Sequence, residues 1–303
     1  RAVRPGSIII AVGAAILLVS LVCIWVYPAV QDLAAANEAW NGIKSTTSGL
    51  RAESITSLGD LPDAAQAAAV ITVPSRDYSD EDLSRLRRFV EGGGRLVVMD
   101  DYGYGNRLLT YMGLGARFVG QALLDPLFCY QNQQMPRVTD FSPGLQEAGV
   151  TAIALNRATA LRNVEEDRVI AWSSTNSFLD VNGDGSWQDG EPRGPLPVAA
   201  ELPLGSGTLA VVASPGMMIN SMYDRDDTLP FLKYLTAFEG GSDRIVIDGS
   251  RLSTSPLDVS KIRLIEVRDL LSNPYAVLAI LLLVVLAVSA YALGKGEALG
   301  RSQ

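Results

Sequence analysis

The chain has 303 residues, 48% of them hydrophobic, a net charge of −8 at pH 7, two cysteines and no histidine. The missing histidine excludes Ser-His-Asp and Cys-His catalysis and the usual zinc sites within this chain. The acidic balance excludes nucleic acid as an expected partner, because displacing counterions from phosphates needs basic surface.

In chain order, the first feature is an uncharged run from Arg4 to Asp32. It is matched near the other end by a second, from Asp269 to Lys295. A bilayer core of about 30 Å needs roughly 20 apolar residues, so two transmembrane helices are expected, over residues 7–28 and 274–293. Trp25 and Tyr27 close the first and Tyr275 and Tyr291 flank the second, the places where amphipathic rings favour the headgroup level. The first run is longer than a signal-peptide core and lacks a small-x-small cleavage site before a polar start, so it is read as uncleaved. The short ends, residues 1–6 and 294–303, carry Arg1, Arg4, Lys295 and Arg301 against Glu297 alone. The positive-inside tendency then places both termini in the cytoplasm of a two-pass plasma-membrane protein, with residues 29–273 extracytoplasmic. The lipid bilayer and other membrane or envelope proteins are the expected partners. Cys23 lies in the first run and Cys129 in the outer domain, so no disulfide scaffold is expected.

Within the outer segment, Val30, Leu33, Ala36, Trp40 and Ile43 are spaced as a helix leaving the first span. The short apolar run from Ala68 to Val73, before Pro74, reads as a strand. Ser79 with Asp82 forms a capping box for a helix in which Leu83, Leu86 and Val90 share a face, and Gly92–Gly94 ends it. Arg95–Asp100 is a buried strand and Asn106 begins another helix, so the unit reads as βαβ with a parallel sheet. The run from Gly92 to Asn106 is echoed from Gly205 to Asn220: glycine turn, apolar strand, glycine-bearing loop, Asn. A helix over Asp226–Phe238, a strand from Arg244 to Asp248 and a helix over 257–272 follow. Residues 115–203 are β-rich, with Pro and Gly turns, and read as an insertion. The fold class expected is α/β: a parallel sheet with a β-rich insertion, flanked by two transmembrane helices.

Two constellations carry chemistry. Asp180, Asn182, Asp184, Ser186, Gln188 and Glu191 occupy positions one, three, five, seven, nine and twelve of a calcium loop, with Gly185 at the sixth. The oxygen-rich spacing suits Ca2+, while the strand-like residues before it and Pro192 after it do not make an EF-hand; a structural calcium loop is expected. The second constellation is Asp100, Asp101, Tyr102 and Asn106 at the C-terminal end of a strand, where open α/β sheets place ligands. Ser214, Asn220 and Asp224 from the echoing unit are expected beside it as further ligand-binding candidates. The Gly-x-Gly here lacks the third glycine of a dinucleotide site.

The GGGRLVVMDDYGYGNRLL stretch, together with SFLDVNGDG, GEPRGPLPVA and GTLAVVASPGMMINSMYD in order, resembles an uncharacterised prokaryotic membrane family known only as a domain of unknown function. That resemblance implies a class I glutamine amidotransferase-like, flavodoxin-type fold. It also implies a layout similar to the auxiliary proteins of gliding-motility-type ABC transporters, and MoxR-type ATPase and von Willebrand A-like partners. The turn after Met99 holds Asp100, Asp101 and Tyr102 where amidotransferases have their Cys, so that activity is not expected here. The expectation is a non-catalytic binding or scaffold subunit of an envelope assembly. The alternative is a membrane-bound, metal-assisted hydrolase using Asp100 and Asp101.

Overall fold

A computed structural model describes residues 5–26, 31–64, 68–238 and 244–252, with single positions at 260, 263, 264, 274 and 278. The chain divides into two units, residues 1–27 with 254–303, and residues 28–253. In the first unit, helix α1 covers Pro5–Val26 and carries no charge; the side chains described on it, Val12–Val22, are exposed. Among the described residues no helix is long and apolar enough to cross a membrane. The described side chains of α1 fall short of the span expected over 7–28. The span expected over 274–293 and the helix expected over 257–272 lie, single positions apart, outside the described residues.

The larger unit opens with turns in place of the helix expected after Ala29. Asn37 is fully buried. Its side chain donates to Gln31 O (2.8 Å) and Asn41 Oδ1 (3.1 Å) and accepts from the Ala39 amide (2.8 Å). Such local bonds compete with helical ones, and Leu33 sits at φ 58°. Only α2 (Lys44–Leu50) is helical there. The chain then forms β1 (Glu53–Ile55), β2 (Ala68–Thr72), α3 (Asp80–Glu91), β3 (Arg95–Met99) and α4 (Asn106–Tyr111). Short pieces follow: β4 (Arg117–Phe118), β5 (Ala122–Leu124), β6 (Arg137–Val138), β7 (Asp140–Phe141), α5 (Pro143–Glu147), β8 (Ile153–Ala154), β9 (Leu161–Arg162), β10 (Val169–Trp172) and β11 (Phe178–Asp180). The last elements described are β12 (Pro197–Leu204), β13 (Gly207–Val212), α6 (Thr228–Thr236) and β14 (Arg244–Asp248).

Eight strands join one mixed sheet in the order β1-β14-β2-β3-β13-β12-β10-β7. The first five are parallel to their neighbours, and β12, β10 and β7 continue the sheet antiparallel. The echo in the sequence is a physical pairing. Thr208–Val212 of β13 lie in register beside Arg95–Met99 of β3. The β-rich stretch 115–203 is therefore only partly an insertion, because β7, β10 and β12 extend the main sheet.

Strands buried on both faces alternate their side chains between two cores. Leu96, Val98, Leu209 and Val211 face Leu83, Leu86, Phe89 and Val90 of α3 and Leu108 and Leu109 of α4. Val97, Met99, Ala210 and Val212 face Phe231, Leu232 and Leu235 of α6 and Leu50 of α2. The expected capping box is present: Ser79 Oγ accepts from the Asp82 amide (3.2 Å) and Asp82 Oδ2 from the Ser79 amide (3.3 Å). At the N-terminal edge of the sheet, Arg95 donates to Leu235 O (2.6 Å) and pairs with Glu201, tying β3 to α6 and β12. The glycine that opens β13 is required by close approach: a Cβ on Gly207 would sit 2.2 Å from Val90 O and 2.3 Å from Gly94 O. Phe231 is fully buried, so Phe231→Ala should lower the free energy of unfolding by about 3–5 kcal/mol in equilibrium urea denaturation.

Candidate functional site

The five parallel strands end at one edge, where Thr72 closes β2, Asp248 closes β14, and Asp100 and Ser214 come just after β3 and β13. Asp100 follows β3 and is 1% exposed. Its Oδ1 accepts from the amides of Tyr102 (2.9 Å) and Gly103 (3.0 Å), and its Oδ2 from that of Gly105 (2.6 Å). Burial raises its pKa, and the Gly105, Tyr102 and Gly103 amides oppose that rise. Asp100 is thus the acceptor that folds the loop from β3 to α4. Asn106 bridges in the same way: Nδ2 donates to Phe118 O (2.9 Å) and Oδ1 accepts from the Phe118 amide (2.9 Å).

The other candidates divide. Ser214 is fully buried after β13, and its Oγ exchanges hydrogen bonds with the Asn156 amide and carbonyl, both 3.1 Å. Asn220 accepts from the Ser45 amide (2.8 Å) and donates to Asn37 O (2.9 Å) and Ala39 O (2.6 Å), so it clamps the turns before α2. Asp224 is exposed and lies 3.5 Å from Arg225. None of these three lines the cleft beside Asp101.

What does line it is a cavity of about 250 Å3 formed by Asp101, Tyr102, Gly120, β5, Gln134, Arg157 and Ala158. Gln134 and Arg157 carry no pattern in the sequence that marks them; the fold brings them here. Arg157 sits at φ 50°, a conformation uncommon for residues other than glycine. It is held there because its amide donates to Gln134 O (3.0 Å), while the neighbouring Ala158 O accepts from the Leu123 amide (2.8 Å). Asp101 has its pKa pushed up to about 6, first by burial, then by the charge of Asp100, with Arg157 acting the other way. Tyr102 is 70% exposed at the mouth and its ring lies 6.4 Å from that of Tyr104.

A second buried carboxylate at this edge was not marked by its sequence context. Asp248, at the end of β14, accepts from Thr72 Oγ1 (2.9 Å) and the Ser250 amide (2.8 Å). Thr72 also shares a 2.8 Å bond with the buried Tyr78 hydroxyl, whose pKa is raised by burial. The Arg251 guanidinium stacks 5.4 Å from the Tyr78 ring and donates to Asp82 Oδ2 (2.8 Å). This network latches the chain after β14 onto α3.

The loop 180–191 leaves β11 and returns beside it, where Leu179 donates its amide to Pro192 O (2.9 Å). Its carboxylates accept from the loop's own amides. Asp180 takes Gly183 (2.8 Å) and Gly185 (3.0 Å), Asp184 takes Ser186 (2.8 Å), and Glu191 takes Val181 (2.8 Å) and Gln188 (3.0 Å). Asn182 accepts from the Asp184 amide (2.9 Å), and Gln188 donates to Asp184. Among the described residues no group of three or more His, Cys, Asp or Glu side chains is gathered as a metal site. Cys129 is a half-buried free thiol.

The model of a domain of unknown function (DUF4350) matches residues 35–236. The chain belongs to this family. The match covers most of the larger unit, from the turns before α2 to the end of α6, and so includes Asp100, Asp101 and Arg157. No curated protein matches the chain. Among solved structures it is similar to the mmIFT52 N-terminal domain, at 17% identity over 57% of this chain and 79% of that one, with a TM-score of 0.42. It is also similar to a β-galactosidase from Bacillus circulans sp. alkalophilus, at 15% identity over 55% of this chain, with a TM-score of 0.34. A catalytic mutant of the GH42 β-galactosidase Gan42B from G. stearothermophilus matches at 16% identity over 55% of this chain, with a TM-score of 0.30. The chain spans only 22% and 21% of the length of these two enzymes. At such scores these likenesses say nothing about the chemistry of the DUF4350 cleft.

Two outcomes test the geometry. Asp100→Ala strips three amides of their acceptor and should cost about 2–4 kcal/mol of stability in urea unfolding. Asp101 behaves oppositely, because its folded pKa of about 6 lies above the ordinary value of 3.8. Its ionisation penalises the folded state as pH rises through that window, and the penalty is absent below it. Asp101→Asn should therefore be more stable than the natural protein above about pH 6, by about 1–2 kcal/mol after allowing for solvent screening. The two should converge near pH 4 in melts across that range.

Proposed function

We propose that this protein is a membrane-anchored, non-catalytic binding or scaffold subunit of an envelope assembly, recognising its ligand at the strand-end cleft. The observation that carries this reading is the division of labour between the two aspartates. Asp100 spends both oxygens on loop amides, while Asp101, Gln134 and Arg157 face a cavity together. Such an arrangement favours recognition over reaction. The competing reading, a metal-assisted hydrolase on Asp100 and Asp101, would have to run on Asp101 alone.

Anchoring rests on the sequence: the two uncharged runs, after Arg4 and after Asp269, and the basic residues outside them. It places both termini in the cytoplasm and the α/β domain outside. The amidotransferase-like descent, and the kinship with transporter auxiliary proteins and their ATPase partners, belong to the same proposal. An ancestral amidotransferase site has lost its chemistry here, with Asp100 at the turn and no histidine in the chain.

Ca2+ is proposed for the loop 180–191, on the strength of its six spaced oxygen donors and of Gly185 at φ 78°. Its role would be to stiffen the wall of the cleft. β11 leads into the loop and pairs with β5, Asp180 opposite Ala122 and Leu179 opposite Leu123, and β5 lines the cavity. Gln133, next to Gln134, also donates to Gly185 O (3.1 Å).

Two measurements test the proposal. After alkaline carbonate extraction the protein should stay in the membrane pellet, and external protease should cleave it in spheroplasts; release into the soluble fraction would remove the anchor. Saturating Ca2+ should raise the melting midpoint of the full chain over a chelator-treated sample by about 2–4 °C per kcal/mol of linkage. An unchanged midpoint with no calcium by elemental analysis would make the loop a metal-free turn.

A further inference from the structure

We propose that the cavity between Asp101, Gln134 and Arg157 binds a small apolar α-amino acid as its zwitterion, its carboxylate on the Arg157 guanidinium and its ammonium on the Asp101 carboxylate. The inference rests on the reading of this cleft as a binding site and names its ligand class.

The first argument is electrostatic. A carboxylate and a guanidinium line one cavity, near enough for Arg157 to influence the titration of Asp101. Yet the two form no ion pair with each other. Among the described residues neither the Arg157 guanidinium nor the Gln134 side-chain amide has a hydrogen-bonded partner, and the Asp101 carboxylate accepts only from its own backbone amide. A simple anion would meet Asp101, and a simple cation would meet Arg157. A neutral apolar guest would desolvate both charges without compensating either. A guest carrying both signs satisfies both walls, the guanidinium taking a carboxylate by two parallel N–H donors.

The second argument is the rigidity of the frame. Arg157 is held in its left-handed conformation by bonds on both sides: Asn156 to Ser214 Oγ (3.1 Å), its own amide to Gln134 O (3.0 Å) and Leu123 to Ala158 O (2.8 Å). Strain of this kind persists where surrounding structure over-determines it, and it clusters at ligand clamps. Asp101 is positioned equally firmly, since it follows Asp100 and its three amide bonds. The buried Ser214 thus serves the cleft indirectly, by fixing the segment that carries Arg157.

The third argument is size and lining. The cavity holds about 250 Å3, on the order of eight water volumes at about 30 Å3 each. That suits one amino acid and is below the usual range for larger ligands. Ala122, Leu123, Leu124 and Ala158 supply the apolar part of its wall, which fits an aliphatic side chain.

The test is isothermal titration of the detergent-solubilised full chain with L-alanine, L-valine and L-leucine. Parallel arms use N-acetyl-L-leucine, which lacks the ammonium, L-leucinamide, which lacks the carboxylate, and glucuronate, which offers hydroxyls in place of the ammonium. Saturable binding is expected for at least one of the three amino acids, with both blocked leucines weaker by about tenfold or more. Arg157→Gln and Asp101→Asn should each weaken binding to a similar degree at an unchanged far-ultraviolet circular dichroism spectrum. The blocked-ligand arms need no variant, so a misfolded variant does not decide the outcome. No saturable heat from any amino acid, blocked leucines that bind as well as leucine, or glucuronate binding more tightly than all three would each overturn the proposal. Such a failure, in a protein that still fractionates with membranes and co-purifies with envelope proteins, would leave the anchored-subunit reading intact. A soluble protein that bound leucine would do the reverse.

Discussion

A buried carboxylate must be hydrogen-bonded or neutralised, and the one at Asp100 shapes the working edge of this molecule. β3 lies inside the sheet, paired on both sides and covered on both faces, so the chain leaves it in a dry environment. Three amides of the next five residues turn back to Asp100, and this fixes both the direction of α4 and the position of Asp101. A strand end that sequence reading takes for a pair of equivalent acids is one structural anchor, Asp100, and one carboxylate, Asp101, that lines a cavity. The same demand is met at β14 by Asp248, where Thr72 and the Ser250 amide supply the donors.

The cleft is then completed from far along the chain. Asp101 and Tyr102 come from the loop after β3, but the cation, the amide and the apolar wall of Ala122, Leu123, Leu124 and Ala158 come from the stretch 115–203. That stretch is tied in at several independent points: β12 along β13, Ser214 to Asn156, and the Thr159 amide to Ala213 O. The proposed calcium loop lies at the far end of the same β5–β11 ribbon. A metal there would act on the cleft through backbone pairing, without touching a ligand.

Much of the scaffold was legible because its signals are local. Ser79 and Asp82 cap a helix three residues apart, Leu83, Leu86 and Val90 define its buried face, and glycines end it. The apolar runs at β2, β3, β13 and β14 are strands on composition alone, and the echo between two of them became a pair of neighbours. Where side-chain polarity competes with periodicity the reading failed. Val30, Leu33, Ala36, Trp40 and Ile43 have helical spacing, but the buried Asn37 holds that segment in turns. Ser214 and Asn220 were expected beside the Asp100 turn because they lie in the unit that echoes it. Each is instead consumed by backbone from a segment more than fifty residues away.

By itself the sequence determined the class of the fold, its parallel core, the two uncharged runs near the ends and the absence of histidine chemistry, because periodicity, caps and composition act within a few residues. Only the tertiary structure decided which aspartate lines the cavity, that Arg157 and Gln134 line it too, and that β7, β10 and β12 of the β-rich stretch join the main sheet. Those outcomes depend on hydrogen bonds and contacts between segments distant in the chain, and no local pattern records them.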